Sequence, residues 1–359
     1  MGMFRKKNFV GVDLGHHTMK VVQLERQAGG WRVQKYATAP TPPDAIKDGV
    51  VIDPTSISTA LKALLKESGI HSSAAMIAVA GGSVVVRQVR MPKMAEATLR
   101  KSIKFEASRY VPSSVEDSYI EFEIIGATDD NQMDVLMVAA PKDVVESRLQ
   151  ACETAGLEVE SVDIEAFAMY RSLVEADMEA EWSDKTIALV DVGSATTNIS
   201  VVSMNVFAMT RSIPQGADTL TQALKSYFKL SDEDAESGKA QLDLRELLEE
   251  GKPKENPPLR VLQPHVDDLV REIRRSLNYY QSQQQEGGQA KAIDHILLTG
   301  GGAKLTGLSE YFTHKLSIPT TTHDVFANPR FSHFGDAEES GLDLSVASGL
   351  AMRAFAKAA

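Results

Sequence analysis

The apolar positions of this chain alternate between short runs and helical stripes, a pattern that is typical of an α/β protein. Apolar runs predict buried strands at 8–14, 75–80, 186–192 and 293–298. Further strands are expected at 19–24, 31–36, 84–90, 117–125, 133–140, 157–163 and 199–204. Stripes with a helical period predict helices at about 54–68, 96–110, 142–155, 164–176, 216–228, 262–283, 305–316 and 344–357. The glycines at 29–30 predict a hairpin turn.

A repeat stands out in this order of elements. The run Val12–Gly15, with Thr18 beyond it, resembles Val190–Gly193, with Thr196 beyond it, and the two lie 178 residues apart. In each copy an apolar strand ends in Asp, then a variable residue, then Gly. The repeat therefore predicts two similar lobes that each open with a strand, a tight turn and a second strand.

Such turns suit phosphate. Backbone N–H groups converge in a tight turn, and Gly permits the close approach of a ligand. Asp13 and Asp191 are candidate Mg²⁺ holders through water, because Mg²⁺ keeps much of its hydration shell. Lys20 is a candidate to neutralise a phosphate, and the hydroxyls of the second turn are candidate donors. A single such turn is most often an ordinary strand end. Two copies on buried strands favour a site that binds a nucleotide phosphate chain.

A third element supports this interpretation. Thr299-Gly300-Gly301-Gly302 follows a predicted strand and precedes a predicted helix, and its glycines leave a flat backbone surface for a base or a phosphate. Neither GxGxxG nor GxxxxGK[ST] occurs at these positions, which disfavours a dinucleotide-binding Rossmann fold and a P-loop NTPase.

Together these motifs resemble the actin, Hsp70 and sugar-kinase superfamily over nearly the whole chain. The segment 83–162 lies where the FtsA branch carries its 1C subdomain. Within that branch the chain is most similar to the PilM family of type IV pilus assembly proteins. The residues that carry this resemblance are 11–15, 103–107 with 110–112, 139–142, 191–193 with 196–198, 299–303 and 345–356.

The resemblance implies an actin-like ATPase fold, with two lobes around an interlobe nucleotide cleft and an FtsA-like 1C insertion. It implies a first lobe (1A) at 1–82, completed by 163–183 and about 341–359, the 1C-like subdomain at 83–162, a second lobe (2A) at 184–215 and 292–340, and subdomain 2B at 216–291.

The resemblance also implies a cofactor, ATP or ADP with Mg²⁺, and a set of binding residues. The expected contacts are Asp13, Gly15, His16, His17, Thr18 and Lys20 in the first turn; Asp191, Gly193, Ser194, Thr196 and Thr197 in the second; and Gly216, Glu236, Lys239, Gly300, Gly301, Gly302 and Lys304 around the nucleoside. His16 and His17 depart from the family pattern, so they donate to phosphate, crowd it or point away. The stretch that holds Glu236 and Lys239 is otherwise a solvated acidic helix.

For activity, the resemblance implies a nucleotide-binding adaptor with slow ATPase activity at most. Glu165 is the candidate for positioning water, and the alternative is a helix-start Glu favoured by the helix dipole. The implied partner is the cytoplasmic N-terminal tail of PilN, in a 1A/1C groove within 83–180, with PilO and the assembly ATPase as indirect partners. An FtsA-like division protein and a small-molecule kinase remain alternatives.

Composition narrows the function classes. The net charge of -11 argues against nonspecific nucleic-acid binding, and one cysteine, Cys152, excludes a disulfide framework. Cys152 is expected to be a buried small hydrophobe. No apolar stretch is long enough to span a bilayer, and no signal peptide is recognised. We expect a cytoplasmic protein that is peripheral to the inner membrane through protein contacts, with self-association left open.

Overall fold

A computed structural model describes residues 8–111, 114–127, 131–176, 181–249, 256–285, 291–333 and 341–356. The chain forms two compact units. The first comprises the described residues of Met1–Met178, Val325–Ala337 and Leu344–Ala359, and the second those of Glu179–Asp324 and Glu338–Asp343.

The first unit contains a six-stranded sheet in the order β10-β6-β1-β2-β3-β16. Its strands are β1 (Phe9–Leu14), β2 (Thr18–Gln27), β3 (Gly30–Pro40), β6 (Ala74–Val79), β10 (Glu158–Ile164) and β16 (Phe331–His333). A two-stranded hairpin, β4 (Ile46–Lys47) with β5 (Val50–Val51), follows β3. β1, β6 and β10 run parallel, so their carboxyl ends meet at one edge of the sheet.

The helices of this unit cover its sheet. They are α1 (Pro54–Glu67), α3 (Lys142–Thr154), α4 (Glu165–Tyr170) and α9 (Ser345–Arg353). α1 begins after Asp53, whose carboxylate accepts from the Ser56 N–H, and its apolar stripe is buried. α4 is continued by a π-helical turn at Arg171–Glu175, where a regular helix was predicted.

A three-stranded antiparallel sheet completes the first unit, in the order β7-β9-β8. Its strands are β7 (Val85–Pro92), β8 (Ser118–Ala127) and β9 (Gln132–Pro141), and helix α2 (Glu96–Ala107) packs on them. Leu99, Ile103 and Ala107 are the buried residues of α2, and all three lie on the predicted stripe. The alternation of β9 between buried and half-buried residues fits a sheet with one covered face.

The second unit has five strands in the order β15-β14-β11-β12-β13. They are β11 (Thr186–Val192), β12 (Thr197–Ser203), β13 (Val206–Ile213), β14 (His295–Thr299) and β15 (Thr320–Thr322). The helices are α5 (Asp218–Phe228), α6 (Asp232–Ala240), α7 (Pro257–Gln285) and α8 (Leu308–Leu316). β11, β14 and β15 run parallel, so Val192 and Thr299 end at the same edge.

The structure confirms most of the predicted elements and corrects several bounds. β13 was missed, because its turn uses Met204 and Asn205 with positive φ and no glycine. α7 begins at Pro257 and continues through Pro264, whereas the apolar stripe had predicted a start at about 262. In the described ranges, no helix is long and apolar enough to cross a bilayer.

Candidate functional site

The second turn, in the second unit, lies where β11 passes into β12. It is closed by the Gly193 N–H, which donates to the Thr196 carbonyl at 2.9 Å. Thr197 is fully buried, and its hydroxyl donates to the Gln215 carbonyl at 2.8 Å. That bond uses the Thr197 hydroxyl, which was expected to serve as a phosphate donor.

The start of α5 holds this turn from the other side. The N–H groups of Ala217 and Asp218 donate to the carbonyls of Gly193 and Ser194, each at 2.9 Å. A Cβ on Gly216 would stand 2.2 Å from the Ser194 carbonyl oxygen. Glycine is therefore required at 216 by close approach, and the structure brings Gly216 to the second turn.

The third glycine element lies against the same turn. Gly300 has φ +92°, and a Cβ there would stand 2.1 Å from Asp191 Oδ1 and 2.6 Å from the Val192 carbonyl oxygen. A Cβ on Gly302 would meet the Val192 side chain at 2.4 Å. The backbone at Gly300 and at Gly302 therefore packs directly on the strand end that carries Asp191. This contact unites two motifs that are far apart in sequence.

A polar cluster extends this surface along α5 and α6. Lys239, only 7% exposed, donates to the Thr221 hydroxyl and pairs with the Glu236 carboxylate, both at 2.8 Å. The Thr221 hydroxyl donates to Glu236 at 2.7 Å. The predicted pair Glu236 and Lys239 is therefore one preformed ion pair, with Thr221 as an unpredicted third member. Lys304 is exposed and pairs with Asp343 at 3.0 Å.

The first turn lies in the first unit, between β1 and β2. Asp13 and Lys20 are cross-strand partners, and Lys20 Nζ lies 3.0 Å from Asp13 Oδ2. Both side chains are largely buried, so each neutralises the other. His17 is exposed and His16 is half-buried, and Thr18 begins β2.

Thr41 fixes this turn, and sequence reasoning missed it. Its N–H donates to the His17 carbonyl at 2.9 Å, and its hydroxyl donates to the Gly15 carbonyl at 2.6 Å. Thr41 is 7% exposed. The only sequence signal was its place between Pro40 and Pro42. Prolines there are typical of a loop, but they do not indicate that Thr41 bonds the first turn.

Replacing Thr41 by valine should loosen the first turn and leave the core intact. Valine keeps the shape but leaves the Gly15 carbonyl without its donor, so we expect nucleotide affinity to fall about fivefold, the equivalent of one hydrogen bond. Thr59→Val is the matched control, because the Thr59 hydroxyl bonds the Thr55 carbonyl on an exposed helix. Calorimetric titration measures both. Equal affinities for the two variants would contradict the bracing role.

Glu165 is the first residue of α4 and directly follows β10. β10, β6 and β1 are adjacent parallel strands, so Glu165 and Gly15 follow strand ends at the same edge of the sheet. Its position at a helix start fits both alternatives considered for it. Cys152 is fully buried, as predicted, and burial raises the pKa of its thiol to about 12, so it is not a nucleophile.

The residues that the structure describes fit a nucleotide better than a resident metal centre. Among them, no group of three or more His, Cys, Asp or Glu side chains is placed to hold a metal ion. The close-packed backbones at Gly216, Gly300 and Gly302 leave no room for side chains, and together with the turn they form a cradle. A metal ion here would therefore need ligands from the nucleotide and from water.

An open groove of about 1060 Å³ adjoins the second turn. Ser194 and Ala195 lie at this groove, and α5 and the first turns of α7 supply the rest of its lining. Its lining side chains include Tyr227, Arg260 and His265. No sequence pattern predicted this groove, because its two walls lie in separate helices.

The fold and the paired glycine turns define a class: the chain has the actin-like ATPase fold, in its FtsA-like branch. A family model described as "Type IV pilus assembly protein PilM" matches residues 11–355, and the chain belongs to this family.

Three similar proteins share the fold or the sequence pattern of this chain. The structure of a PilM-PilN type IV pilus biogenesis complex matches with a TM-score of 0.82 at 23% identity, over 97% of this chain and 98% of that one. The structure of Spiroplasma citri MreB5 bound to ADP matches with a TM-score of 0.53 at 12% identity, over 98% of this chain and 97% of that one. Cell division protein FtsA of Streptococcus pneumoniae serotype 2 is 21% identical over 98% of this chain and 84% of its own. The structural likenesses show the fold.

Proposed function

We propose that the chain is the ATP-binding member of a type IV pilus assembly complex, and that it binds the N-terminal tail of PilN. In this role it works on the cytoplasmic side of the inner membrane, held there by PilN and linked indirectly to PilO and the assembly ATPase. Pilus-dependent twitching motility would depend on it.

One observation carries the nucleotide part: Gly300 rests on the Asp191 carboxylate with no space for a side chain. A backbone surface of this kind, beside a turn with converging N–H groups, suits a phosphate chain and its ribose. Asp191 and Asp13 would hold Mg²⁺ through water, and the ion would neutralise phosphate charge. Glu236 and Lys239 would flank the nucleoside.

The chemistry proposed for these residues is binding, with slow hydrolysis at most. Glu165 is the candidate for orienting water, at the edge where the first turn also lies. Thr41 and Lys20 would hold the first turn and its charge in place.

The partner part is supported by the fold shared with a PilM that forms a complex with PilN. The proposed groove lies within 83–180. Three large apolar side chains of this segment are exposed: Phe105 at 72%, Tyr119 at 46% and Ile124 at 44%. Exposed apolar groups that are rimmed by charge are typical of peptide-binding surfaces. Phe105 carries the largest such exposure and is flanked by Lys104 and Glu106.

Titration with a PilN tail peptide tests this proposal. We expect Phe105→Ala to weaken peptide binding about tenfold, as truncation of an aromatic anchor does. Tyr227→Ala is the matched control, because Tyr227 is 69% exposed in the second unit. If the unmodified chain binds no peptide with or without Mg·ATP, the partner proposal fails; phosphotransfer to a sugar would favour a kinase instead.

A further inference from the structure

Helix α3 places a buried arginine beneath the first turn. Arg148 is 3% exposed, and its guanidinium donates to three backbone carbonyls: Gly49 at 3.1 Å, Leu14 at 3.2 Å and Ala78 at 3.4 Å. Within the described ranges, no carboxylate lies at ion-pair distance from it. Burying a cation among carbonyls alone is costly, so this side chain performs a task that a hydrophobic residue cannot.

The three carbonyls belong to three different segments around the first turn. Leu14 is the last residue of β1 and immediately precedes Gly15. Ala78 lies near the end of β6, and Gly49 forms the tip of the β4–β5 hairpin with φ +85°. A planar guanidinium with fixed N–H directions can satisfy all three only in one arrangement, which a lysine ammonium cannot reproduce.

The same helix reaches the three-stranded sheet. Near its start, the Lys142 ammonium donates to the Glu116 carbonyl at 2.6 Å, and Glu146 accepts from the Tyr119 hydroxyl at 3.1 Å. The next residue is Ser147, and its hydroxyl accepts from the Val51 N–H at 3.1 Å. The start of α3 is therefore anchored to β8 at Tyr119 and to the segment before β8 at Glu116, and Arg148 anchors the same helix to the residues around the first turn.

We infer that α3, through Arg148, couples nucleotide occupancy of the first turn to partner binding on the three-stranded sheet. A shift of the Leu14–Gly15 backbone when phosphate binds must either move Arg148 and α3 together or break its bonds. Movement of α3 shifts β8, and with it the three-stranded sheet and the α2 face that carries Phe105. By linkage, a partner bound on that face changes nucleotide affinity by the same factor. This inference rests on the proposed function.

The test is a thermodynamic cycle with Mg·ATP and a PilN tail peptide on the full chain. For the unmodified chain we expect each ligand to change the dissociation constant of the other about fivefold or more. Arg148→Lys should lower Mg·ATP affinity about fivefold, as the loss of one bond at the first turn does, and bind the peptide within about threefold of the unmodified chain, yet reduce the coupling to below about twofold. Arg275→Lys, on an exposed pair with Glu272 in the second unit, is the matched control and should keep the coupling.

Ser147→Ala provides a second variant in case Arg148→Lys does not fold. It removes one side-chain bond to the hairpin. The coupling should fall as in Arg148→Lys, but by a smaller factor. Coupling that persists in both variants would overturn the role of α3. Two ligands that bind the unmodified chain independently would overturn the inference and leave the proposed function standing. Failure to bind either ligand alone would refute the proposed function itself.

Discussion

Replacing Asp191 by alanine should weaken Mg·ATP binding about 100-fold. Asp191 ends β11, and its carboxylate lies against the backbone of Gly300, at the point where the second turn and the third glycine element meet. It is the one acidic group of the second turn. Loss of a residue that holds Mg²⁺ through water costs about 10–100-fold in metal affinity, and we expect the upper end because phosphate charge also loses its counter-ion.

The measurement is calorimetric titration of the variant with ATP, with and without Mg²⁺. The Mg²⁺-dependent part of the affinity should vanish, while any binding of ATP without metal should change little. Asp268→Ala is the matched control, because Asp268 is exposed on α7 and pairs with Arg271. Undiminished Mg·ATP affinity in Asp191→Ala would show that the second turn does not hold the metal.

The sequence allowed the turns and most helices to be predicted because each depends on local chemistry. An apolar strand that ends in Asp and Gly has few ways to continue, and apolar stripes determine helices without long-range knowledge. The cross-strand pairing of Asp13 with Lys20 was predictable in principle. In a strand-turn-strand element, residues equally far from the turn face each other. Lys20 had been considered only as a phosphate ligand.

What could not be predicted depends on contacts between distant segments. Thr41 braces the first turn from a proline-rich loop, and Arg148 reaches Leu14 from 134 residues away. Thr221 joins Glu236 and Lys239 because α5 and α6 pack side by side. The spacing of apolar residues along the chain does not predict such contacts between distant segments. The limits of the four subdomains, the individual nucleotide contacts and the PilN groove stay predictions.

The second large effect is expected at Gly349, in the middle of α9. A Cβ at this position would stand 1.7 Å from the Ala168 carbonyl oxygen and 2.4 Å from its carbon, both atoms of the α4 backbone. Flexible side chains can yield to an added methyl group, but two packed helix backbones cannot. We therefore expect Gly349→Ala to reduce the free energy of unfolding of the first unit by about 3 kcal/mol, the upper range for overpacking.

Gly238→Ala is the matched control, because it makes the same substitution at a helix position where the added methyl group has space. Gly238 lies inside α6, and an added Cβ there would meet no atom within 4 Å. The same substitution should then stabilise by about 0.5–1 kcal/mol, because alanine is the better helix former. Urea unfolding of both variants, followed by circular dichroism, gives the two free energies. If both changes stabilise alike, α9 does not pack backbone to backbone on α4. Opposite signs would show that this close contact, and not helix propensity, determines glycine at position 349.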